Sequence, residues 1–170
     1  MSRSGAVRVR ALSADPVRSP AAVSDFSLEA FVPYRLAVLA RDVSRSLATV
    51  YSDRFGLSIS DWRVLAVLAH FGAMPAGLVA ERSSQDKPKV TRALQRLTAR
   101  KLVTRRTDAA DRRAVEVALT AKGREVFEQA AALAVDWERT VLAALTQEQR
   151  RAFTAALDAI GERVKSLASP

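Results

Sequence analysis

Asp86-Lys87-Pro88-Lys89-Val90-Thr91-Arg92-Ala93-Leu94-Gln95-Arg96-Leu97 (residues 86–97) decides the fold of this chain. A helix is expected to begin at Lys87. Asp86 suits the capping position because its carboxylate can accept from an amide of the first turn, and Pro88 falls where a missing N–H costs nothing. At about 100° per residue, with Leu94 as zero, Val90 and Leu97 lie within about 60° on the same side, whereas Arg92 falls at about 160°. Arg92 therefore points away from the buried stripe. Ala99, Pro88, Gln95 and Arg96 flank it on the outward face, and Lys89 lies at the edge of that face.

Working outward, Ala76 to Ser83 reads as a shorter helix joined to this one by the tight turn Ser84-Gln85-Asp86, the spacing of a helix-turn-helix. Ahead of it, Ser58 and Asp61 form a capping box for a helix that should bury Trp62, Leu65, Val67 or Leu68, and Phe71 before Gly72. After it, Leu102 to Thr107 reads as a strand and Asp108 to Arg113 as a polar loop. Val115, Val117 and Leu119 alternate with Ala114, Glu116 and Ala118 as a second strand. The two strands make a hairpin wing.

Long helices flank this centre. Phe26 to Phe31 leads into Pro33 and a helix whose apolar residues Leu36, Ala40, Val43, Leu47 and Val50 recur at helical spacing, closing at Phe55-Gly56. Thr120 starts another helix, with Phe127, Ala130, Ala134, Trp137, Val141 and Leu145 along one side. Thr146 and Gln149 form a capping box for the last helix, whose Phe153, Leu157, Ile160, Val164 and Leu167 step alternately by four and three, as a packed seam does. The expected fold is mostly α with a small β-hairpin wing: a winged helix-turn-helix with N- and C-terminal dimerisation helices. Residues 1–25 are expected to be a disordered basic tail, 26–57 the N-terminal dimerisation helix, 58–120 the winged domain, and 121–170 the C-terminal dimerisation helices.

The charge distribution says what the centre would touch. The 170 residues carry 27 Lys and Arg against 18 Asp and Glu, a formal charge of +9. From Lys87 to Arg113 there are ten basic residues and two acids, so nearly the whole excess lies on the helix-turn-helix and wing. Arg pairs bidentately with guanine and Gln with adenine in the major groove, so Arg92 and Gln95 are the expected base readers. Lys89 and Arg96 are expected to hold phosphates. Asp111, Arg112 and Arg113 sit at the expected wing tip, where a long cation can enter a narrow minor groove and Asp111 can hold an Arg in place.

The same composition excludes other chemistries. There is no cysteine, which removes disulfides, thiolate catalysis and Cys-based zinc sites. His70 is the sole histidine, at the end of an apolar helix with no nucleophile motif beside it, so an enzyme is not expected. No apolar run approaches the roughly 18 to 20 residues that span a bilayer. The first 24 residues lack the apolar core of a secretory signal, and a cytoplasmic location without membrane partners is expected.

The sequence resembles the MarR family of winged helix-turn-helix transcriptional regulators from about Phe31 to Leu167. Carrying the likeness are Pro33-Tyr34-Arg35-Leu36, Phe55-Gly56-Leu57, Trp62-Arg63-Val64-Leu65, Asp86-Lys87, Val90-Thr91-Arg92-Ala93, Asp111-Arg112-Arg113, Leu119-Thr120 and Gly123. The resemblance implies a homodimer joined by its terminal helices, binding a pseudo-palindromic operator, and often released by a small phenolic or other aromatic acid. Lys101 departs from the pattern, standing where the family usually has Gly. Either the turn there differs or Lys101 carries a modest strain. Pro75 departs too, where a capping Ser or Thr is common.

The resulting site expectations are Lys87, Lys89, Thr91, Arg92, Gln95, Arg96, Arg112 and Arg113 for DNA, and Leu36, Val43, Leu47, Phe153, Leu157, Ile160 and Val164 for the dimer interface. Tyr34, Arg35, Trp62, Arg63 and His70 are expected at an effector cleft, where Arg and aromatics suit an aromatic carboxylate. No cofactor or metal is expected. The function expected is that of a ligand-responsive, sequence-specific DNA-binding regulator, a repressor acting as a homodimer. The alternative is an architectural protein that coats DNA regardless of sequence.

Overall fold

A computed structural model describes residues 26–107 and 115–168. The basic tail of residues 1–25 and the wing-tip residues Asp111, Arg112 and Arg113 lie outside the described residues. Six helices and three strands follow in order: α1 (Val32–Phe55), α2 (Ile59–Phe71), β1 (Met74–Pro75), α3 (Ala76–Arg82), α4 (Lys87–Ala99), β2 (Val103–Thr107), β3 (Val115–Leu119), α5 (Ala121–Leu142) and α6 (Gln147–Ala168). The mostly helical winged architecture read from the sequence is the one observed.

Local chemistry sets the boundaries. Gly56 closes α1 at φ 58°, a left-handed conformation that glycine adopts without a Cβ penalty. The Ser58 hydroxyl accepts from the Asp61 amide at 3.2 Å while the Ser58 amide donates to the Asp61 carboxylate at 3.0 Å, completing the capping box of α2. Asp86 accepts from the Lys89 amide at 2.8 Å to start α4. Thr146 and Gln149 cap α6 reciprocally, at 3.2 and 2.9 Å.

Two turns of the helix-turn-helix and wing are Schellman motifs made without glycine. After α3, the Gln85 amide donates to the Ala80 carbonyl and the Ser84 amide to that of Glu81, both at 3.1 Å, with Ser84 at φ 52°. After α4, the Leu102 amide donates to Leu97 and the Lys101 amide to Thr98, both at 2.9 Å, with Lys101 at φ 59°. Lys101 is therefore the left-handed residue of an ordinary turn that glycine would enter with less strain. The buried pair Leu97 and Leu102 supplies the apolar contact that accompanies this motif.

The sheet has the order β1-β3-β2 with both pairings antiparallel. Met74 lies opposite Val117, and Val103 opposite Leu119. The short strand β1 is an addition to the two-stranded wing expected from sequence. Two residues cannot show an alternation, and Pro75, which lacks an N–H, fits the ladder because β1 is at the edge. Pro75 also precedes α3 without any side-chain cap.

The chain forms two compact units, one of Leu36–Val141 and the other of the residues through Arg35 with Leu142 onward. In the first, Tyr51, Leu57, Val64, Leu65, Leu68, Val79, Val90, Leu94, Leu97, Leu102, Val103 and Val117 are almost wholly buried in one cluster. Trp62 packs against that cluster, its ring between those of Tyr51 and Phe127 at centroid distances of 5.1 and 5.5 Å. Phe71 is not buried as expected. It is 49% exposed at the last turn of α2, with the Arg82 guanidinium 4.0 Å above its ring. Gly123 lets α5 begin against the backbone of Leu102, whose carbonyl a Cβ would strike. There the Thr120 amide donates to that carbonyl at 3.0 Å, and the Thr120 hydroxyl accepts from the Gly123 amide at 2.9 Å.

In the second unit, none of the residues of α6 is buried. Phe153, Leu157, Ile160 and Val164 are all exposed along it.

Candidate nucleic-acid interface

Helix α4 has the two faces its sequence predicts. Val90, Ala93, Leu94 and Leu97 are buried, whereas Lys87, Lys89, Thr91, Arg92, Gln95 and Arg96 are exposed. Arg92 and Gln95 lie three residues apart, so they are neighbours on the outward surface. Thr91 is anchored to its own helix, its hydroxyl donating to the Lys87 carbonyl at 2.9 Å. Lys89 reaches back to Asp86 at 2.8 Å. That hydrogen bond from Lys89 holds the Asp86 carboxyl below its ordinary range, keeping it ionised as the cap of the helix.

Arg96 points elsewhere. Its guanidinium pairs with the Asp61 carboxylate, Nη2 to Oδ1 at 2.9 Å and Nε to Oδ1 at 3.2 Å, and Nη2 also donates to the Ser58 hydroxyl at 3.2 Å. The Asp61 side chain is 4% exposed, so Arg96 balances a charge that is nearly out of water. In this arrangement Arg96 holds α4 against the start of α2 instead of presenting a bare cation to phosphate. Angular reasoning placed it on the outward flank because the capping carboxylate of another helix leaves no trace in the periodicity of α4.

Arg100 is a second residue that sequence reasoning missed. Nη2 donates to the Phe55 carbonyl at 2.6 Å and Nη1 to that of Gly56 at 2.9 Å, 45 and 44 residues away along the chain. Neither contact could be anticipated from spacing. Both need the end of α1 and the end of α4 to meet.

The five expected effector residues divide. Trp62 lines a small apolar groove of about 290 Å³ between α1, α2 and α5, with Leu47, Ala66, Phe127 and Trp137. The Trp137 ring N–H donates to the Ser46 hydroxyl at 3.2 Å beside it. Arg63 lines a different cleft of about 580 Å³ with Ser44, Arg45, Ile59, Gln85 and Lys89, and its Nη2 donates to Ser44 at 3.2 Å. His70 is exposed at the end of α2, edge-on to Phe71. Tyr34 and Arg35, both exposed, line neither cleft. Nearby, burial pushes the Tyr51 hydroxyl up to about 12, with the Arg63 charge pulling the other way and that of Asp61 adding to the rise.

Among the described residues no cluster of acidic, His or Cys side chains could hold a metal, and no helix is long and apolar enough to cross a membrane.

A buried helix-turn-helix whose second helix exposes a cationic face beside a three-stranded wing defines the winged-helix class of DNA-binding proteins. Comparison narrows it: residues 55–114 match the model described as the MarR family. The solved structure of a MarR-family transcriptional regulator from Silicibacter pomeroyi superposes with a TM-score of 0.66 at 26% identity, over 84% of this chain and 94% of that one. BpsR of Bordetella bronchiseptica, whose DNA binding is regulated by 6-hydroxynicotinic acid, gives 0.71 at 26% identity, over 80% and 96%. PcaV of Streptomyces coelicolor, solved with its natural ligand, gives 0.69 at 19% identity, over 81% and 96%, a likeness of fold. No curated protein sequence matches. The chain thus has the fold of MarR-family transcriptional regulators and resembles that family over residues 55–114.

Proposed function

We propose that the chain is a sequence-specific repressor that binds a pseudo-palindromic operator as a homodimer and releases it when a small aromatic acid binds. The observation that carries the reading is the two-faced α4. Its buried side is locked into the core while Arg92 and Gln95, the residue types that pair with guanine and adenine edges, stand on the open side. Arg112 and Arg113, which lie outside the described residues, complete the DNA contact in this proposal.

A second copy of this chain covers α6. The exposed row Phe153, Leu157, Ile160 and Val164 repeats at seam spacing, and a two-fold pair of reading helices matches two half-sites about one DNA turn apart. On α1, Leu36 and Val43 are half-buried and remain candidates for the dimer interface, whereas Leu47 also packs against the core of its own unit.

The effector site best supported is the cleft of Arg63. Arg45 and Arg63 suit a carboxylate, Ile59 and Ala40 supply apolar wall, and the buried Gln85 Nε2 has no hydrogen-bond partner among the described residues. Ser84, Gln85 and Asp86 belong to the turn that starts α4, so a molecule seated there touches the segment that orients the reading helix.

The test is binding to a duplex enriched from a random pool against binding to an arbitrary duplex of equal length and salt. A regulator shows a ratio of about 10³ or more, whereas an architectural protein that coats DNA shows far less. A ratio near unity overturns the proposal.

A further inference from the structure

The last carbonyls of a helix have no amide partners of their own and carry the negative end of its dipole. At the end of α1 the chain turns left-handed at Gly56, and the carbonyls of Phe55 and Gly56 are both met by one guanidinium, that of Arg100. A planar fork with two parallel donors fits such a pair in one orientation, which a flexible ammonium does not. Arg100 is itself fixed, because it caps α4 and is followed by the Schellman turn through Lys101 and Leu102. One turn earlier on the same helix, Arg96 grips Ser58 and Asp61. The reading helix thus holds both sides of the connection between α1 and α2.

We infer that Arg100 is a positioning residue that latches the end of the reading helix α4 to the end of α1, fixing the angle at which Arg92 and Gln95 meet DNA and carrying any displacement of α1 to α4. The consequence for DNA rests on the proposed reading role of α4, whereas the latch itself is a property of the free protein. The competing role for an exposed Arg in a basic segment is a phosphate contact. The two roles differ in what they do to salt dependence and to specificity.

The experiment compares wild type with Arg100→Ala and Arg100→Lys. Because the chain contains no cysteine, Asp53→Cys on α1 and Ala99→Cys on α4 accept spin labels uniquely, and dilution with unlabelled protein isolates distances within one chain. The free protein should give a narrow distance distribution that broadens in Arg100→Ala, with Arg100→Lys in between. An unchanged distribution in folded Arg100→Ala overturns the latch.

On DNA, Arg100→Ala should weaken binding to the enriched duplex about tenfold, as expected for loss of a charge-assisted pair of bonds, while leaving the arbitrary duplex within about twofold. The slope of log K against log salt should not change. Equal losses on both duplexes with a slope flatter by about 2 per dimer would make Arg100 a phosphate contact and overturn the inference. If wild type fails to distinguish the duplexes, the proposed regulator function falls, and the label distances still decide the latch.

Discussion

Leu36–Val141 contains every buried residue among those described, whereas α6, with 22 residues and a regular row of Phe, Leu, Ile and Val, contains none. Both stretches have apolar residues at helical spacing, so patterning alone does not separate them. The difference is what each face meets. In the first, the row on α4 lies against α2 and α3, and the wing closes over Leu102 and Val103. In the second, Leu157 and Ile160 stay 44% and 45% exposed. A helix of this length exposing that much apolar surface needs a partner, since most helical stability in water comes from packing of an amphipathic face.

The sharpest way to break this comparison is Ile160→Asp. If a second copy closes the α6 face, the new carboxylate is buried unpaired, at a cost of about 3 to 5 kcal/mol, and the protein becomes monomeric. Sedimentation equilibrium should show the change while the circular dichroism of the winged unit is kept. A variant that remains a dimer would mean that α6 is closed by something else.

Gly123→Ala attacks the closed unit instead. The added methyl strikes the Leu102 carbonyl, so either α5 or the wing backbone must shift, and a loss of about 3 kcal/mol is expected in denaturant unfolding. Unchanged stability would show that α5 does not begin as tightly against the wing as described.

Arg92→Ala leaves both regions folded and tests only the surface of the closed one. Operator affinity should fall by about 1 to 3 kcal/mol and arbitrary DNA should hardly notice. Parallel losses on both duplexes would reassign Arg92 to phosphate.

The smallest effect sharpens the account of the turn. Lys101→Gly removes the strain of a left-handed Lys and should stabilise the fold by about 1 kcal/mol in thermal melts, while lowering DNA affinity slightly through the lost charge. Destabilisation would show that the lysine side chain contributes packing that outweighs the backbone term.

Elements whose boundaries are set by short-range chemistry were legible from sequence. The capping box of Ser58 and Asp61, the Asp86 cap of α4, the Thr146 and Gln149 pair, and the left-handed Gly56 each involve residues a few positions apart, and each appears where the pattern places it. The outward direction of Arg92 followed from the helical period for the same reason. Local steric and hydrogen-bonding rules act within one or two turns, and the sequence contains all that they need.

What only the tertiary structure decided concerns groups distant in sequence. Strand β1 exists because Met74 meets Val117, Arg96 on the outward flank of α4 turns to Asp61 because that carboxylate lies beside it, and Arg100 is drawn to the carbonyls of Phe55 and Gly56 at the end of α1. Phe71 and Trp62 sit on helix α2 among similar apolar residues, yet Trp62 is packed because Tyr51 and Phe127 stack on it, whereas Phe71, with the Arg82 guanidinium over its ring, stays half exposed. An arginine has the same helical position whether it meets phosphate, carboxylate or carbonyl. Its partner is chosen by the packing of helices that the linear pattern does not encode, because long-range contacts depend on where each element ends and at what angle the next one begins.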